Sequence, residues 1–265
     1  MNDKKVNWPV AATIAGSDSG GGAGIQADLK VFFSMKVHGV SAITALTAQN
    51  PKAVLGVDPV RRKFVLQQLT AIWSELPPES TKTGMLFSKK IVGTVSDFLR
   101  EIRVKNLVVD PVMIATSGAR LISPEAVRAC HKKLFPLATL ITPNLDEASM
   151  LVGSKITDPE GLRKAARILH EKYGCAVLLK GGHLKGLNQA IDIFFDGKSE
   201  LLMEAPFFTG VSTHGTGCTF SAFITAGLAL GRPLSKVVVE SKKRISESIS
   251  RGVMAKGHFV LNPRW

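Results

Sequence analysis

The chain has 265 residues, of which 45% are hydrophobic, and a formal net charge of +13. That length suffices for one large or two small domains with a substantial core. No apolar run approaches the roughly 20 residues that a bilayer span needs. Met1–Lys5 is polar and leads into no apolar region of signal-peptide type, so a cytoplasmic location is expected. Cys130, Cys175 and Cys218 are odd in number and lack metal-like spacing, which argues against a disulfide framework or a zinc site. The basic residues are dispersed, as at Arg61-Arg62-Lys63 and Lys242-Lys243-Arg244, and aromatics are only 6% and not interleaved with them. That pattern fits attraction of anionic small molecules better than nucleic-acid binding. No linker, repeat or low-complexity run appears, so residues 1–265 are expected to form a single domain.

Val10 to Gly16 is a short, mostly apolar run ending at glycine and is read as a buried strand. Ser17 to Gly24 is a loop with Gly20, Gly21, Gly22 and Gly24. Ile25 to Met35 has helical spacing, with Ile25, Leu29, Phe32 and Phe33 on one face and Asp28 at its edge. Val40 to Gln49 is strand-like, and Val54 to Val57 could pair with it. Arg61 to Leu76 is an amphipathic helix. Ser80 to Leu86 is a short strand of alternating polarity. A helix over Ile91 to Ile102 leads to a strand, Asn106 to Asp110, that ends in an acid. Ser123-Pro124-Glu125 opens a helix with a cap-like serine and a first-turn proline. Leu137 to Ile141 is a strand stopped by Thr142-Pro143-Asn144. Asp158-Pro159-Glu160 opens a helix to about Tyr173, and Cys175 to Lys180 is a strand. Ala190 to Phe195 and Leu201 to Ala205 flank Asp196-Gly197, a hairpin signal. Two helices close the chain, roughly Cys218 to Leu230 and Leu234 to Met254.

Strands alternating with helices, several of them continuously apolar, imply an α/β fold with a mostly parallel sheet covered on both faces. Ligands on such sheets bind beyond the strands' carboxyl ends, where Gly16-Ser17-Asp18, Gln49, Asp110, Asn144 and Lys180 gather. The stretch Ser212 to Ser221 adds a glycine turn opening an apolar helix. Free N–H groups and the positive end of the helix dipole make such a turn a natural anion site. A β-branched residue at Gly217 would cover those donors and resist any positive φ required there. Cys218 lies just past the glycines, where a helix N-terminus is expected to lower a thiol's pKa. Phosphoryl transfer needs phosphate positioning, cationic charge and a base near the attacking hydroxyl. Asn144 and Glu147 stand at i, i+3 and, with Asp110, could hold a hydrated Mg²⁺. Read alone, Asn144 to Glu147 is equally a capped helix start with acids in its first turn.

Thr213-His214-Gly215-Thr216-Gly217-Cys218-Thr219 resembles the anion-hole motif of the ribokinase superfamily, with Cys218 where most of that superfamily has Asp. That Cys, with His-Gly before Thr-Gly, is similar to one branch, the hydroxymethylpyrimidine/phosphomethylpyrimidine kinases of thiamine synthesis. Ile14 to Asp18, Gly21 to Lys30, Thr44 to Asn50, Lys82 to Leu86, Val109 to Met113, Thr142 to Asn144 with Glu147, and Lys180 to His183 also resemble that branch. The resemblance spans nearly the whole chain.

It implies a ribokinase-like three-layer fold, ATP and Mg²⁺, and a homodimer. It also implies phosphorylation of 4-amino-5-hydroxymethyl-2-methylpyrimidine and then of its monophosphate. By the same resemblance, Asp28 and Gln49 would hydrogen-bond the aminopyrimidine, and Ala23, Met85 and Val112 would contact its ring. Cys218 would take the catalytic-base position beside the Gly215 and Gly217 anion hole. Asp110 and Glu147 would serve the metal, and Asn144, Lys180 and Thr213 the nucleotide. The tail from Gly257 to Trp265 and the segment Glu240 to Arg244 depart from the branch, which leaves the adenine side unassigned. A pyridoxal kinase of the same superfamily and a silent pyrimidine-binding protein are the competing readings.

Overall fold

The computed structural model describes residues 7–113, 122–182, 184, 189–208 and 214–264. Strand and helix alternate from the start: β1 (Val10–Ala15), α1 (Gly24–Ser34) and β2 (His38–Ile43), then β3 (Ala45–Gln49), β4 (Val54–Pro59), α2 (Arg62–Glu75), β5 (Ser80–Thr83), α3 (Lys89–Glu101) and β6 (Leu107–Val109). There follow α4 (Pro124–Ala129), β7 (Leu140–Ile141), α5 (Leu145–Val152), α6 (Pro159–Tyr173), β8 (Ala176–Lys180), β9 (Gln189–Phe195) and β10 (Glu200–Pro206). The chain closes with α7 (Thr216–Ala229), α8 (Leu234–Ser250), β11 (Val253–Ala255) and β12 (His258–Val260).

Eight strands form the central sheet in the order β10-β9-β8-β7-β6-β5-β1-β2. β2, β1, β5, β6, β7 and β8 run parallel, and the β9–β10 hairpin adds two antiparallel strands at one edge. Successive side chains of a strand point to opposite faces, and the core splits accordingly. Leu107, Val109, Val177 and Leu179 pack with α2 to α6, whereas Val108 and Leu178 pack with α7 and α8. Ala11 packs with α1 and α7 on that second face. This is the ribokinase-like three-layer arrangement. The chain steps from β1 to β2 in one direction and from β5 onward in the other, which opens a crevice at the carboxyl ends of β1 and β5.

Local signals set most boundaries. Ser123 caps α4 ahead of Pro124, and Asp158 caps α6, which stops at Gly174 with φ 71°. Three expectations shift. The run from Val40 to Gln49 is two strands, because Thr44 forms a corner: its N–H bonds the Ala15 carbonyl and its hydroxyl bonds the Met85 carbonyl at 2.6 Å. Past that corner, β3 leaves the main sheet and pairs antiparallel with β4, with a register break at Ala48/Gln49. β7 is only two residues, since the chain before it closes as π and 3-10 turns over Cys130–Leu137. The last helix ends at Ser250, and Lys256 and Gly257, both at positive φ, turn a short β11–β12 hairpin of the kind two-residue turns favour.

One ion pair ties three elements beneath the crevice. Asp28 of α1, fully buried, receives the Lys82 ammonium of β5 at 2.8 and 2.9 Å and the Thr13 hydroxyl of β1 at 2.6 Å. Burial alone would lower the Lys82 pKa, but the Asp28 carboxylate, with Cys218 and Asp110 further off, holds it above its ordinary value. Removing one partner of such a pair leaves an uncompensated buried charge. Asp28→Ala is therefore expected to lose about 3–5 kcal/mol of stability in urea unfolding. Asp28→Leu combined with Lys82→Met should recover most of it, since two apolar groups leave nothing unpaired. A loss for Asp28→Ala within the ±0.5 kcal/mol typical of surface changes would refute this role.

Candidate functional site

The carboxyl ends of the parallel strands carry the polar residues picked out in the sequence. Past β1, Asp18 organises the glycine loop: its side chain accepts the N–H groups of Gly20 at 2.8 Å, Gly22 at 3.0 Å and Ala23 at 2.8 Å. Burial would raise the Asp18 pKa, but His214 and these amides hold it below the usual carboxylate range. The loop returns on itself at Gly24 (φ 56°), where a Cβ would stand 2.5 Å from the Gly16 carbonyl oxygen. Lys30 closes the loop by donating to the Gly21 carbonyl at 2.6 Å.

The loop lies against the start of α7. Gly215 is that helix's N-cap at φ 81°, and a side chain there would collide with the Gly22 carbonyl. Gly217 requires no positive φ and is an ordinary helical residue. It is glycine for space: a Cβ would stand 3.2 Å from Lys180 Nζ and 3.8 Å from Asp110 Oδ2. Lys180 and Asp110 thus approach the first turn of α7 with no side chain between. Cys218 follows, half-buried, its sulfur receiving the Gly24 N–H. The expected lowering of its pKa is overturned. Burial pushes the thiol up to about 11, against the pull of Lys82 and with Asp110 and Asp28 adding to the rise. The helix N-terminus loses because desolvation is the larger effect here.

Opposite α7, Lys180 at the end of β8 donates to Asp110 Oδ1 at 3.0 Å, and the Thr142 hydroxyl does so at 3.1 Å. The Ser221 hydroxyl lies 3.2 Å from Asp110 Oδ2. Burial would raise the Asp110 pKa, but Lys180 and Lys82 hold it low. Asn144 and Glu147 form the reciprocal capping box of α5: the Glu147 N–H donates to Asn144 Oδ1 and the Asn144 N–H to Glu147 Oε2, each at 2.9 Å. The Met113 N–H reaches Glu147 Oε1 at 3.1 Å, joining the loop after β6 to α5. Burial pushes the Glu147 carboxyl up to about 7, against the pull of Lys180.

One large open cavity brings together Ala23, Asp110, Val112, Asn144, Glu147, Lys180, Gly215, Gly217 and Cys218. Thr213 lies outside the described residues. Met85 is buried with its methyl against Gly16, and Gln49 adjoins the cavity through His214, whose Nε2 is 3.2 Å from Gln49 Nε2. Asp28 departs from expectation. It has no exposed surface, and both oxygens are engaged by Lys82 and Thr13, because the edge of the α1 stripe faces the sheet rather than the cavity. Sequence reasoning placed Asp18 at the strand ends but gave no role to it, to Lys82 or to Ser221. Lys82, between threonines on a strand, reads as a solvent-facing residue until the strand's burial is known.

The model of the phosphomethylpyrimidine kinase family matches residues 18–262. The chain is 46% identical to the hydroxymethylpyrimidine/phosphomethylpyrimidine kinase of Rhizobium meliloti, over 91% of this chain and 90% of that protein. It is also 46% identical to the thiamine biosynthesis bifunctional protein ThiED of Geobacter sulfurreducens, over 94% of this chain but about half (51%) of that longer protein. Among solved structures, an ADP complex of Bacillus subtilis pyridoxal kinase superposes with a TM-score of 0.88 at 34% identity, covering 97% of each chain. On its sequence, the chain belongs to the phosphomethylpyrimidine kinase family and is with it a phosphotransferase of thiamine biosynthesis.

Proposed function

We propose that the cavity transfers the terminal phosphoryl group of ATP to the hydroxymethyl oxygen of 4-amino-5-hydroxymethyl-2-methylpyrimidine, and then a second one to the resulting monophosphate. The observation that carries this reading is the close approach at Gly217, where a Cβ would stand 3.2 Å from Lys180 Nζ, so that Lys180 meets the first turn of α7 with no side chain between. Donors fixed before charge develops are the largest aid a protein gives to such a transfer. Lys180 then neutralises nucleotide phosphate, Asn144 and Thr213 serve the same nucleotide, and Gly215 and Gly217 hold the transferred group. Ala23, Met85, Val112 and Gln49 surround the pyrimidine. Asp28 acts at one remove, by holding Lys82 beneath Cys218. Residues 1–265 work as one kinase domain in the cytoplasm, without nucleic-acid or membrane partners. The exposed Leu46 and Leu55 of the β3–β4 arm support a homodimer.

The donor set fits Mg²⁺. Among the described residues no group of three or more His, Cys, Asp or Glu forms a cage. Asp110 and Glu147 offer two hard carboxylates at the cavity wall, which suits an ion that keeps waters and takes its remaining oxygens from phosphates. When bound, the ion supplies charge neutralisation between the phosphates.

A second reading, phosphorylation of pyridoxal, is favoured by the close superposition on a pyridoxal kinase. Mass detection of products from the two alcohols with Mg·ATP is expected to yield pyrimidine mono- and diphosphate, with pyridoxal turned over more slowly. Faster turnover of pyridoxal would reverse the order, and no pyrimidine phosphate would refute the proposal.

Cys218 holds the proton-acceptor position. With its thiol held up at about 11, only a minor thiolate fraction can take the hydroxymethyl proton at neutral pH. That fraction grows as pH rises toward the thiol's value, so turnover of the alcohol should climb from pH 7 to 9. Turnover of the monophosphate should not, because a phosphate with a second pKa near 6 is already ionised. Cys218→Ser is expected to lower turnover of the alcohol by about 100-fold or more and of the monophosphate by less. Equal losses and parallel pH profiles would reduce Cys218 to a positional role.

A further inference from the structure

Apart from Gln49, the cluster at the mouth of the glycine loop has no part in the chemistry above. His214 precedes α7 with its side chain 23% exposed, and its Nε2 lies 3.1 Å from Asp18 Oδ2 and 3.2 Å from Gln49 Nε2. Asp18 is 3% exposed and, with three backbone amides donating to it, is held as a carboxylate. A carboxylate only accepts, so the imidazole nitrogen facing it carries the proton. That same nitrogen faces the Gln49 carboxamide, and an amide NH₂ offers it no lone pair. The oxygen and nitrogen of a side-chain amide are alike in shape, and the hydrogen-bond network decides which is which. One arrangement satisfies Asp18, Gln49 and Thr47 together. Gln49 turns its oxygen to His214 and its NH₂ to Thr47 Oγ1, which lies 3.5 Å from the other amide atom. Thr47 gives its own hydrogen to the Ser17 carbonyl at 2.9 Å, which leaves a lone pair for the amide.

We propose that His214, anchored by Asp18, is a positioning residue for specificity: it locks the Gln49 carboxamide so that acceptor and donor meet the ring in a fixed order. The locked order suits an exocyclic amino group beside an unprotonated ring nitrogen. It opposes a carbonyl beside a ring N–H, which Gln49 could meet only by turning over. That turn sets NH₂ against the His214 N–H and leaves Thr47 with no donor, and specificity of this kind rests on the unpaired groups left in the wrong complex. The inference rests on the placement of the pyrimidine against Gln49 proposed above.

The test compares kcat/KM for 4-amino-5-hydroxymethyl-2-methylpyrimidine with that for its 4-oxo counterpart, in wild type, His214→Ala, His214→Gln and Gln49→Ala. Wild type should prefer the amino ring. His214→Ala should cut the preference about 5- to 150-fold, the range for one buried group left unpaired, and mainly through KM. His214→Gln sets an amide N–H where Nε2 stood and should restore the preference. Gln49→Ala should lose it. A preference kept in His214→Ala but lost in Gln49→Ala overturns the role of His214 and leaves the pyrimidine placement standing. A preference kept in Gln49→Ala removes that placement, and the inference with it. Wild type with no preference overturns the inference as well. The ¹⁵N spectrum of wild-type His214 gives a check that depends on no variant: Nε2 is expected to be protonated, and an unprotonated Nε2 refutes the lock.

Discussion

Charge held under the first turn of α7 is the constraint on which the rest of the site depends. Asp28 with Lys82 and Asp110 with Lys180 are two lysine–carboxylate pairs, both interacting electrostatically with Cys218. Ions removed from water are tolerated only when paired and further hydrogen-bonded. Both conditions are met here: Thr13 completes Asp28, and Thr142 and Ser221 complete Asp110. The pairs differ in purpose. Lys82 and Asp28 have no exposed surface and span β5 and α1, so they fix where the two halves of the crevice stand. Lys180, 14% exposed in its side chain, faces the cavity. Paired with Asp110, it can turn part of its charge toward an arriving phosphate without first being buried alone.

The glycines follow from the same constraint. Helix α7 must bring its first turn close to the glycine loop on one side and to an ammonium on the other. At Gly215 both φ and the approach of the Gly22 carbonyl forbid a side chain. At Gly217 only the approach of Lys180 does. The loop in turn is shaped by Asp18, whose carboxylate gathers three amides that would otherwise point at solvent or ligand. The loop's amides at Gly20, Gly22 and Ala23 are gathered by Asp18, while Gly215 to Cys218 at the start of α7 line the cavity.

This division explains how much of the molecule could be read from the chain. The alternating layers, the strand ends and the caps at Ser123, Asn144 and Asp158 are local or periodic signals, and they gave the fold and most of the cavity wall. Long-range partners leave no such trace. Nothing around Asp28 announces that Lys82, 54 positions on, will take both of its oxygens; one place along α1 separates a ligand-facing acid from a buried one. The Thr44 corner was hidden for a similar reason, since its hydroxyl finds the Met85 carbonyl only after β5 is in place. The thiol misled in the opposite sense. A helix N-terminus is visible in sequence, but the desolvation that outweighs it appears only when the loop packs against the sulfur.

That desolvated thiol bears on why cysteine stands where most of the wider superfamily has aspartate. Position 218 already lies in the field of Asp110 and Asp28, which push its proton affinity up, with Lys82 opposing them. A third carboxylate there would compete with Asp28 for the single ammonium of Lys82, and burial would favour its protonated form or weaken the pair below it. A neutral thiol adds no charge to this balance. On the proposed function the difference matters most at the second step, where the incoming substrate itself carries a phosphate. A fixed negative charge at 218 would oppose that phosphate at close range. The thiol is a poor base at neutral pH, yet it leaves the site able to admit both the alcohol and its phosphorylated product, and one cavity can then serve two successive transfers.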